Sequence, residues 1–243
     1  MLIMAMTRTE DLPGIIMEPV LCNSGCLMPL PGYLEGVRDL VRRHGSLLIL
    51  DEVITGFRMA VGGAQQFYGV TPDIATFGKA VGGGLALSVV AGRREIMQQM
   101  FGGGVVFGGT FNGNPISLAG ADAALAELAR DDGAALKHAN RLGSQLMEGL
   151  RGLAQAAGIP LRITGFGAAM AFHFGNQTEL RDYRDTLADD RDALRRFLIA
   201  ALAEGIHMLP DGRMYVSAAH TEQDIQQTLA AVSRALDAVL TPA

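Results

Sequence analysis

The chain is poor in several residue types, and each shortage excludes a class of protein. Its 243 residues include only two cysteines, Cys22 and Cys26, which are too few for a disulfide scaffold and suit a reducing cytoplasm. No His or further Cys stands near this pair to complete four ligands, so the sequence predicts no metal site. Tryptophan is absent, and the net charge is −5 without a basic patch, which argues against a nucleic-acid partner.

Long hydrophobic runs are also missing. No apolar stretch approaches the length that spans a bilayer, and residues 1–8 lack the charged-then-apolar order of a signal peptide. We therefore expect a cytoplasmic protein without a membrane partner. The hydrophobic fraction of 49% is ample for a core, and a chain of this length can form one large domain or two small ones.

Lysine is scarce too. Of the 20 Lys and Arg residues, only Lys79 and Lys137 are lysines. Lys79 lies in an apolar, glycine-rich segment, 75–84, that holds no other charge. Partial desolvation there would favour the uncharged amine, a nucleophile toward carbonyl groups that arginine cannot supply. The alternative is a solvated lysine on a glycine loop.

A pair of carboxylates follows a short apolar run. Residues 47–50 predict a strand buried within a parallel sheet, and Asp51 and Glu52 come where that strand should end. Ligands of open α/β sheets bind outside the carboxyl ends of the strands, so we expect Asp51 to face a binding crevice. Glu52, the next residue on an extended chain, should point the other way. Asp51 could instead cap the following turn.

The order of the predicted elements is that of an α/β protein. Strands are predicted at 14–17, 74–77 and 87–91 besides 47–50, with helices over 32–43 and from Asn114 as N-cap and Pro115 as first residue. The composition changes after 131–133. A long helix over 136–157 then precedes two strands around 163–174, broken at Gly165 and Gly167, and helices over 191–203 and 222–240 enclose a strand at 214–217. We predict a mostly parallel α/β domain over 1–132 and a small α+β domain over 133–243.

Several motifs, in this order along the chain, resemble those of the class III aminotransferases, which are pyridoxal-phosphate (PLP) enzymes of fold type I. They are Glu18-Pro19-Val20, Asp51-Glu52-Val53-Ile54-Thr55-Gly56-Phe57-Arg58, Gly62-Gly63-Ala64-Gln65, Tyr68-Gly69-Val70-Thr71-Pro72-Asp73, Phe77-Gly78-Lys79 with Gly82-Gly83-Gly84, Gly109-Thr110-Phe111-Asn112-Gly113-Asn114-Pro115 and Ala219-His220-Thr221-Glu222-Gln223-Asp224-Ile225. Within the family the resemblance is closest to the glutamate-1-semialdehyde 2,1-aminomutase branch.

The resemblance implies roles for matching residues. Lys79 would form a Schiff base with PLP, and Asp51 would pair with the protonated pyridine nitrogen and keep the ring an electron sink. Val53 would pack on the ring face and Asn23 would lie near the ring hydroxyl, although an Asx-turn before Gly25 also explains Asn23. One further pair, Gly109 and Thr110, would reach the cofactor phosphate of the neighbouring subunit of a homodimer with shared active sites. A plain turn is the alternative for that pair.

The resemblance covers about the second half of a typical family member. The first half of such a member supplies the phosphate-binding turn and the ring-stacking aromatic, and no Gly-Ser/Thr-Gly turn precedes Glu18 here. The resemblance therefore implies an incomplete fold type I major domain over 1–132, followed by the small C-terminal domain. Arg213 stands in a segment, 209–215, that is shorter than in the aminomutases. It could bind a substrate carboxylate, or be a solvated turn residue.

Three hypotheses remain open at this stage. The first is an aminotransferase that moves an amino group between an amino acid and a keto acid or aldehyde through Lys79. The second is the aminomutase, which shifts the amine within one substrate. The third is a truncated, inactive remnant that folds or dimerises without catalysis.

Overall fold

The computed structural model describes residues 12–102, 104–175 and 179–240. The segment 1–8 lies outside these residues. The described chain divides into two compact units, which we treat separately. The first holds residues 12–19 and 30–134, and the second holds 20–29 and the residues from 135 onward. The unit boundary at 134/135 lies two residues from the predicted domain boundary, and the second unit also includes the segment 20–29.

The first unit contains a four-stranded sheet whose order follows the chain. Strands β1 (Gly14–Met17), β2 (Leu47–Asp51) and β3 (Ile74–Phe77) are parallel, and β4 (Val89–Gly92) pairs with β3 in the antiparallel direction. The predicted strands are therefore present, and the sheet is mostly parallel. Because β2 and β3 are parallel neighbours, their carboxyl ends lie at the same edge of the sheet.

Helix α1 (Tyr33–Arg43) forms because its apolar residues recur at helical spacing, as predicted. They pack on one face of β2 in a cluster with Val70; the cluster contains Leu34, Val37, Leu40, Val41, Leu48 and Leu50. Each such side chain stabilises the fold by roughly 2 kcal/mol when fully buried. The helix ends at His44. Arg42 and Arg43 lie in its last turn, where positive charges interact favourably with the helix dipole.

Burial along β2 differs from the prediction. We expected a strand buried on both faces, but Leu48 and Leu50 are buried while Leu47 and Ile49 are half-buried. The reason is that α1 covers only the face presented by Leu48 and Leu50. Ile16 on β1 is likewise 63% exposed.

Three further α-helices belong to the first unit: α2 (Gly63–Tyr68), α3 (Arg94–Met97) and α4 (Pro115–Ala129). The predicted cap of α4 is confirmed, since the side chain of Asn114 accepts hydrogen bonds from the amides of Ile116 and Ser117. Short 3-10 helices span Lys79–Gly82, Gln98–Phe101 and Arg130–Asp132.

The second unit is α+β. Its sheet consists of the hairpin β5 (Leu161–Phe166) and β6 (Ala169–Phe174), with β7 (Arg213–Tyr215) antiparallel to β6. Helices α5 (Ala134–Ala156), α6 (Arg191–Ala203) and α7 (Glu222–Leu240) accompany it, with 3-10 helices at Cys22–Ser24 and Tyr183–Ala188. Every residue of β6 is buried, and Phe172, Phe174 and Phe197 pack ring against ring in the core.

One detail of the hairpin corrects the prediction. Gly165 was expected to break the strand, but it lies inside β5, because the ladder continues through the pairs Gly165–Met170 and Phe166–Ala169. Only Gly167 stands at the turn. No helix within the described ranges is long and apolar enough to cross a membrane.

Candidate active site

The edge of the first sheet where β2 and β3 end brings together three of the residues predicted to act. Asp51 is the last residue of β2 and pairs in register with Thr76 of β3. Its Oδ1 accepts a hydrogen bond from the amide of Val53 at 3.0 Å and a longer one from Thr76 Oγ1 at 3.4 Å. Asp51 thus caps the turn through Oδ1, while no donor in the described part of the chain reaches Oδ2.

Glu52 points away from Asp51 and is completely buried. Its carboxylate accepts four hydrogen bonds, from Thr55 Oγ1 (3.0 Å), the amides of Ala64 (2.5 Å) and Gln65 (3.1 Å), and Gln65 Nε2 (3.1 Å). Two of these donors are free amides of the first turn of α2. These hydrogen bonds connect the segment that follows β2 to the start of α2. They thereby hold Asp51 and Val53, the two neighbours of Glu52, at the sheet edge.

Val53 lies against the residue that precedes Lys79. A β-carbon placed on Gly78 would come 3.3 Å from Val53 Cγ1, so the valine side chain reaches the turn after β3. The backbone supports the same arrangement, because the amide of Glu52 donates to the carbonyl of Thr76 at 2.9 Å. Asp51, Val53 and Lys79 therefore stand on adjacent chain segments at one edge of the sheet.

Lys79 begins the 3-10 helix Lys79–Gly82 and is exposed. This corrects the expectation of a desolvated amine: its neighbours are small residues, which give it no cover. No hydrogen bond or ion pair of its Nζ occurs within the described residues. Its φ is +49°, a left-handed value that costs a non-glycine residue energy and that often marks functional sites.

The turn that carries Lys79 is seated on helix α4. A β-carbon on Gly83 would lie 2.9 Å from Ala124 Cβ and 3.1 Å from the carbonyl of Gly120, so no larger residue fits between the turn and the helix. Close backbone packing of this kind orders Lys79 even though its side chain is exposed.

The predicted phosphate-binding pair, Gly109 and Thr110, lies in an exposed loop before α4. Within the described residues Gly109 takes part in a local turn, since its carbonyl accepts from the amide of Asn112 at 3.0 Å. The same loop and its flanks expose a set of large apolar side chains: Phe101, Val105, Val106, Phe107, Phe111, Ile116 and Leu118. Val106 is 98% exposed and Phe101 87%, which is unusual for so many neighbours in sequence.

The other two predicted residues, Asn23 and Arg213, belong to the second unit. Arg213 Nη1 donates to Asn23 Oδ1 at 3.0 Å, while its Nε and Nη2 bind Asp211 at 2.8 and 2.7 Å. The hydrogen bond that Arg213 donates to Asp211 raises the pKa of Arg213. The guanidinium edge that would grip a substrate carboxylate is thus already paired with Asp211.

Sequence reasoning missed two groups that the structure brings out. The first is the set of hydrogen bonds that Glu52 accepts from the start of α2, twelve residues further along the chain. The motif Gly62-Gly63-Ala64-Gln65 was noticed in the sequence, but nothing in it indicated that Glu52 is its partner. The buried His173 of β6 left no sequence signal, because a single histidine in an apolar strand predicts no partner. Among the described residues, no group of three His, Cys, Asp or Glu side chains is arranged to hold a metal.

Comparison with known proteins identifies the family. Residues 2–236 match the family model described as aminotransferase class-III. The chain is 39% identical over 231 residues to glutamate-1-semialdehyde 2,1-aminomutase 2 of Brevibacillus brevis, a match that covers 93% of this chain and 53% of that protein. It is 40% identical over 227 residues to glutamate-1-semialdehyde 2,1-aminomutase of Methanosarcina acetivorans, covering 91% and 52%.

Solved structures agree. An omega-transaminase from Sphaerobacter thermophilus superposes with a TM-score of 0.88 at 29% identity, over 94% of this chain and 52% of that one. A β-phenylalanine aminotransferase from Variovorax paradoxus gives 0.86 at 28% identity, over 96% and 54%. The chain therefore belongs to the class III aminotransferase family, whose members are PLP-dependent aminotransferases and aminomutases of fold type I.

The chain spans about half the length of the curated relatives it matches. The predicted family, the predicted fold class and the partial coverage are thus confirmed. The roles of the individual site residues stay predictions.

Proposed function

We propose that this chain carries the lysine and the aspartate of a PLP-dependent aminotransferase site, which moves an amino group between an amino acid and a keto acid or aldehyde. One observation carries the proposal: Asp51, Val53 and Lys79 stand together at the carboxyl edge of two parallel strands. Ligands of such sheets bind at this edge. An acid, a branched apolar side chain and an amine are the groups that a cationic pyridine ring with an aldehyde substituent requires.

The residues fit the cofactor. Asp51 keeps Oδ2 without a donor in the described residues, so this oxygen can accept the proton-bearing ring nitrogen, while Oδ1 stays fixed by Val53 and Thr76. The Val53 side chain offers an apolar surface for the ring face. Lys79 offers a primary amine for the aldehyde carbon. When bound, PLP supplies an electron sink for the carbanion formed at the substrate α-carbon.

Two residues move or hold protons in this scheme. The Asp51 carboxylate holds a proton on the ring nitrogen, since an adjacent negative charge favours the protonated ring. The Lys79 amine would hold the cofactor through Nζ and, once the substrate is bound, would take and return the proton of the substrate α-carbon. The strained backbone of Lys79 and its seat on α4 hold that amine at the sheet edge. The roles predicted for Asn23 and Arg213 stay predictions.

A homodimer is part of the proposal. The exposed apolar side chains around Gly109 and Thr110 form a surface of the kind that protein partners cover. A backbone amide beside a hydroxyl, as Gly109 and Thr110 provide, suits a phosphate oxygen. Sedimentation of the chain with and without Val106→Asp tests this, because a charge at the centre of a covered surface should dissociate the dimer. A monomeric wild-type chain would contradict it.

The aminomutase is the second candidate, because the curated relatives at 39–40% identity carry that name. An inactive remnant is the third, since the match spans about half of each relative. Dependence of turnover on an added keto acid separates the first two: the transaminase requires an external acceptor, whereas the aminomutase does not. Cys22 and Cys26 are buried thiols that form no disulfide, which supports a cytoplasmic location for either enzyme.

Borohydride reduction after addition of PLP tests the site. We expect the cofactor to be fixed on Lys79 and on no other residue, and Lys79→Ala to abolish the covalent adduct completely. Lys137→Ala is the matched control, because Lys137 is the other lysine of the chain. The measurement is the visible absorption spectrum followed by peptide mapping.

The same experiment decides against the proposal under two results. An adduct on Lys137 would make the assignment of Lys79 wrong. Absence of any adduct, both for the chain alone and with a polypeptide covering the first half of a relative, would favour the inactive remnant.

A further inference from the structure

A buried hydrogen-bond cluster in the second unit has no part in the site described above. Its centre is His173 of β6, which is 3% exposed. Nδ1 of this ring lies 2.6 Å from Asp189 Oδ2, and Nε2 lies 2.9 Å from Thr164 Oγ1 and 3.1 Å from the carbonyl oxygen of Gly25. The Thr164 hydroxyl lies 2.6 Å from the same carbonyl. Three separate chain segments therefore meet at one imidazole.

The partners determine where the protons stand. A carboxylate and a carbonyl only accept, and the Thr164 hydroxyl has one proton, which the 2.6 Å contact assigns to the Gly25 carbonyl. Nε2 then faces an oxygen lone pair and a carbonyl, so it donates to them. The ring therefore joins the Gly25 carbonyl on one side to Asp189 on the other.

A ring without a proton on Nε2 would leave the cluster in conflict. Thr164 would then turn its hydroxyl hydrogen toward that nitrogen. The carbonyl of Gly25 would face a lone pair at 3.1 Å and lose both of its donors. A carbonyl left unpaired in a buried position is unfavourable, and the hydrogen bond from Nε2 avoids this.

The Gly25 carbonyl belongs to the turn that carries Asn23. The turn is closed by the paired amides and carbonyls of Leu21 and Leu27. Gly25 has φ +94°, and a β-carbon on it would lie 2.5 Å from His173 Cε1, so the ring rests directly on the turn backbone. On its outer side, Asn23 accepts from Arg213. The turn therefore contacts His173 through Gly25 and Arg213 through Asn23.

We propose that His173 is a positioning residue that fixes the 21–27 turn and thereby the side chain of Asn23. The groups facing the ring are Asp189 from the segment before α6, Thr164 from β5 and the Gly25 carbonyl from the turn itself. The inference rests on the proposed function only for the role of Asn23 toward the cofactor. The hydrogen-bond arrangement stands independently of it.

His173→Gln and His173→Phe test the proposal as a pair, because a glutamine amide can still donate to the Gly25 carbonyl whereas a phenylalanine ring cannot. We expect amide hydrogen exchange at Cys22, Ser24 and Leu27 to become about ten- to a hundredfold faster in His173→Phe, the loss expected when a buried carbonyl loses a hydrogen bond. In His173→Gln the exchange rates of these amides should return toward those of the wild-type chain.

Two controls make the outcome decisive. Asp192→Asn removes an exposed carboxylate in the first turn of α6, and it should leave the turn unchanged. Thr164→Val removes the hydroxyl and leaves the donor at Nε2, so it should speed exchange in the turn by less than His173→Phe. It carries the test if His173→Phe does not fold.

Two results would overturn the proposal. One is exchange in the turn that is equally fast in His173→Gln and His173→Phe. The other is exchange in the 21–27 turn that is unchanged, or that rises only in step with β5 and β6, which would indicate general loss of stability. None of these readouts uses the cofactor. Failure of the wild-type chain to bind PLP would therefore count against the proposed function and leave this test intact.

Discussion

Two polar regions of this chain differ in how completely their hydrogen bonds are made. At the edge of the first sheet, Asp51 keeps an oxygen without a donor in the described residues, and the Lys79 amine is exposed. In the second unit, both nitrogens of His173 are engaged, and the ring is buried. Groups that bind or react need an atom left over for the ligand, whereas groups that hold the fold gain most when every atom is paired.

The same contrast occurs within one dipeptide. Asp51 and Glu52 are chemically alike and adjacent, yet Asp51 makes contacts through Oδ1 while both oxygens of Glu52 are saturated by four donors. Alternation along an extended chain sends the two side chains to opposite sides. The two residues look alike in the sequence, but the contacts of Asp51 suit binding and those of Glu52 suit support of the fold.

The largest expected effect is the loss of stability from Glu52→Gln. The new amide NH₂ group would face the backbone amide of Ala64 or that of Gln65, so a buried donor would meet a donor. We expect the first unit to be destabilised by about 3–4 kcal/mol. The matched variant Asp51→Asn should cost less than about 1 kcal/mol, because Asn Oδ1 can keep the hydrogen bond from Val53.

Hydrogen exchange in increasing denaturant, followed peptide by peptide, measures both variants. Regional readout is necessary because a chain with two compact units need not unfold in one step. Cofactor binding should rank the pair in the reverse order among folded samples, with Asp51→Asn weaker. Equal losses of stability for the two variants would remove the distinction between a binding and a supporting carboxylate.

A smaller effect is expected at Gly25. Gly25→Ala combines a left-handed φ of +94° with a β-carbon 2.5 Å from His173 Cε1, and we expect a loss of about 2–3 kcal/mol in the second unit. Gly205→Ala is the matched control, since its φ is +85° but nothing lies within 4 Å of the added carbon. Gly205→Ala should lower the free energy of unfolding by only about 1 kcal/mol, which is the cost of the left-handed backbone conformation alone. Denaturant-dependent exchange of β5 and β6 measures both, and equal losses would show that His173 moves aside freely.

These comparisons explain what the sequence could predict. Local signals sufficed for the elements: helical spacing predicted α1, Asn114-Pro115 predicted the start of α4, and the span 222–240 matches α7. The strand before Asp51 and the turn with Lys79 were predictable because apolar runs and glycines act locally. Their meeting at one edge followed from the parallel order of β2 and β3.

Features that depend on distant partners were not predictable in this way. The exposure of Lys79 depends on what covers the sheet edge, and the ion pair of Arg213 depends on the conformation of the turn at 209–212. The His173 cluster joins residues up to 148 positions apart, so no local pattern could announce it. Long-range hydrogen bonds of this kind require the tertiary structure.

The smallest expected effect concerns the backbone of Lys79. Its φ of +49° is left-handed, and the residue follows Gly78 at the start of a 3-10 helix. Glycine adopts this conformation without the steric cost that a β-carbon brings, so Lys79→Gly should be more stable than Lys79→Ala by about 1 kcal/mol. The two variants lose the same amine, and their difference therefore isolates the backbone strain. Exchange of the β3 and α4 amides in denaturant measures it. If Lys79→Gly is the less stable of the two, the left-handed turn stores no strain, and the lysine is held at the sheet edge by packing on α4 alone.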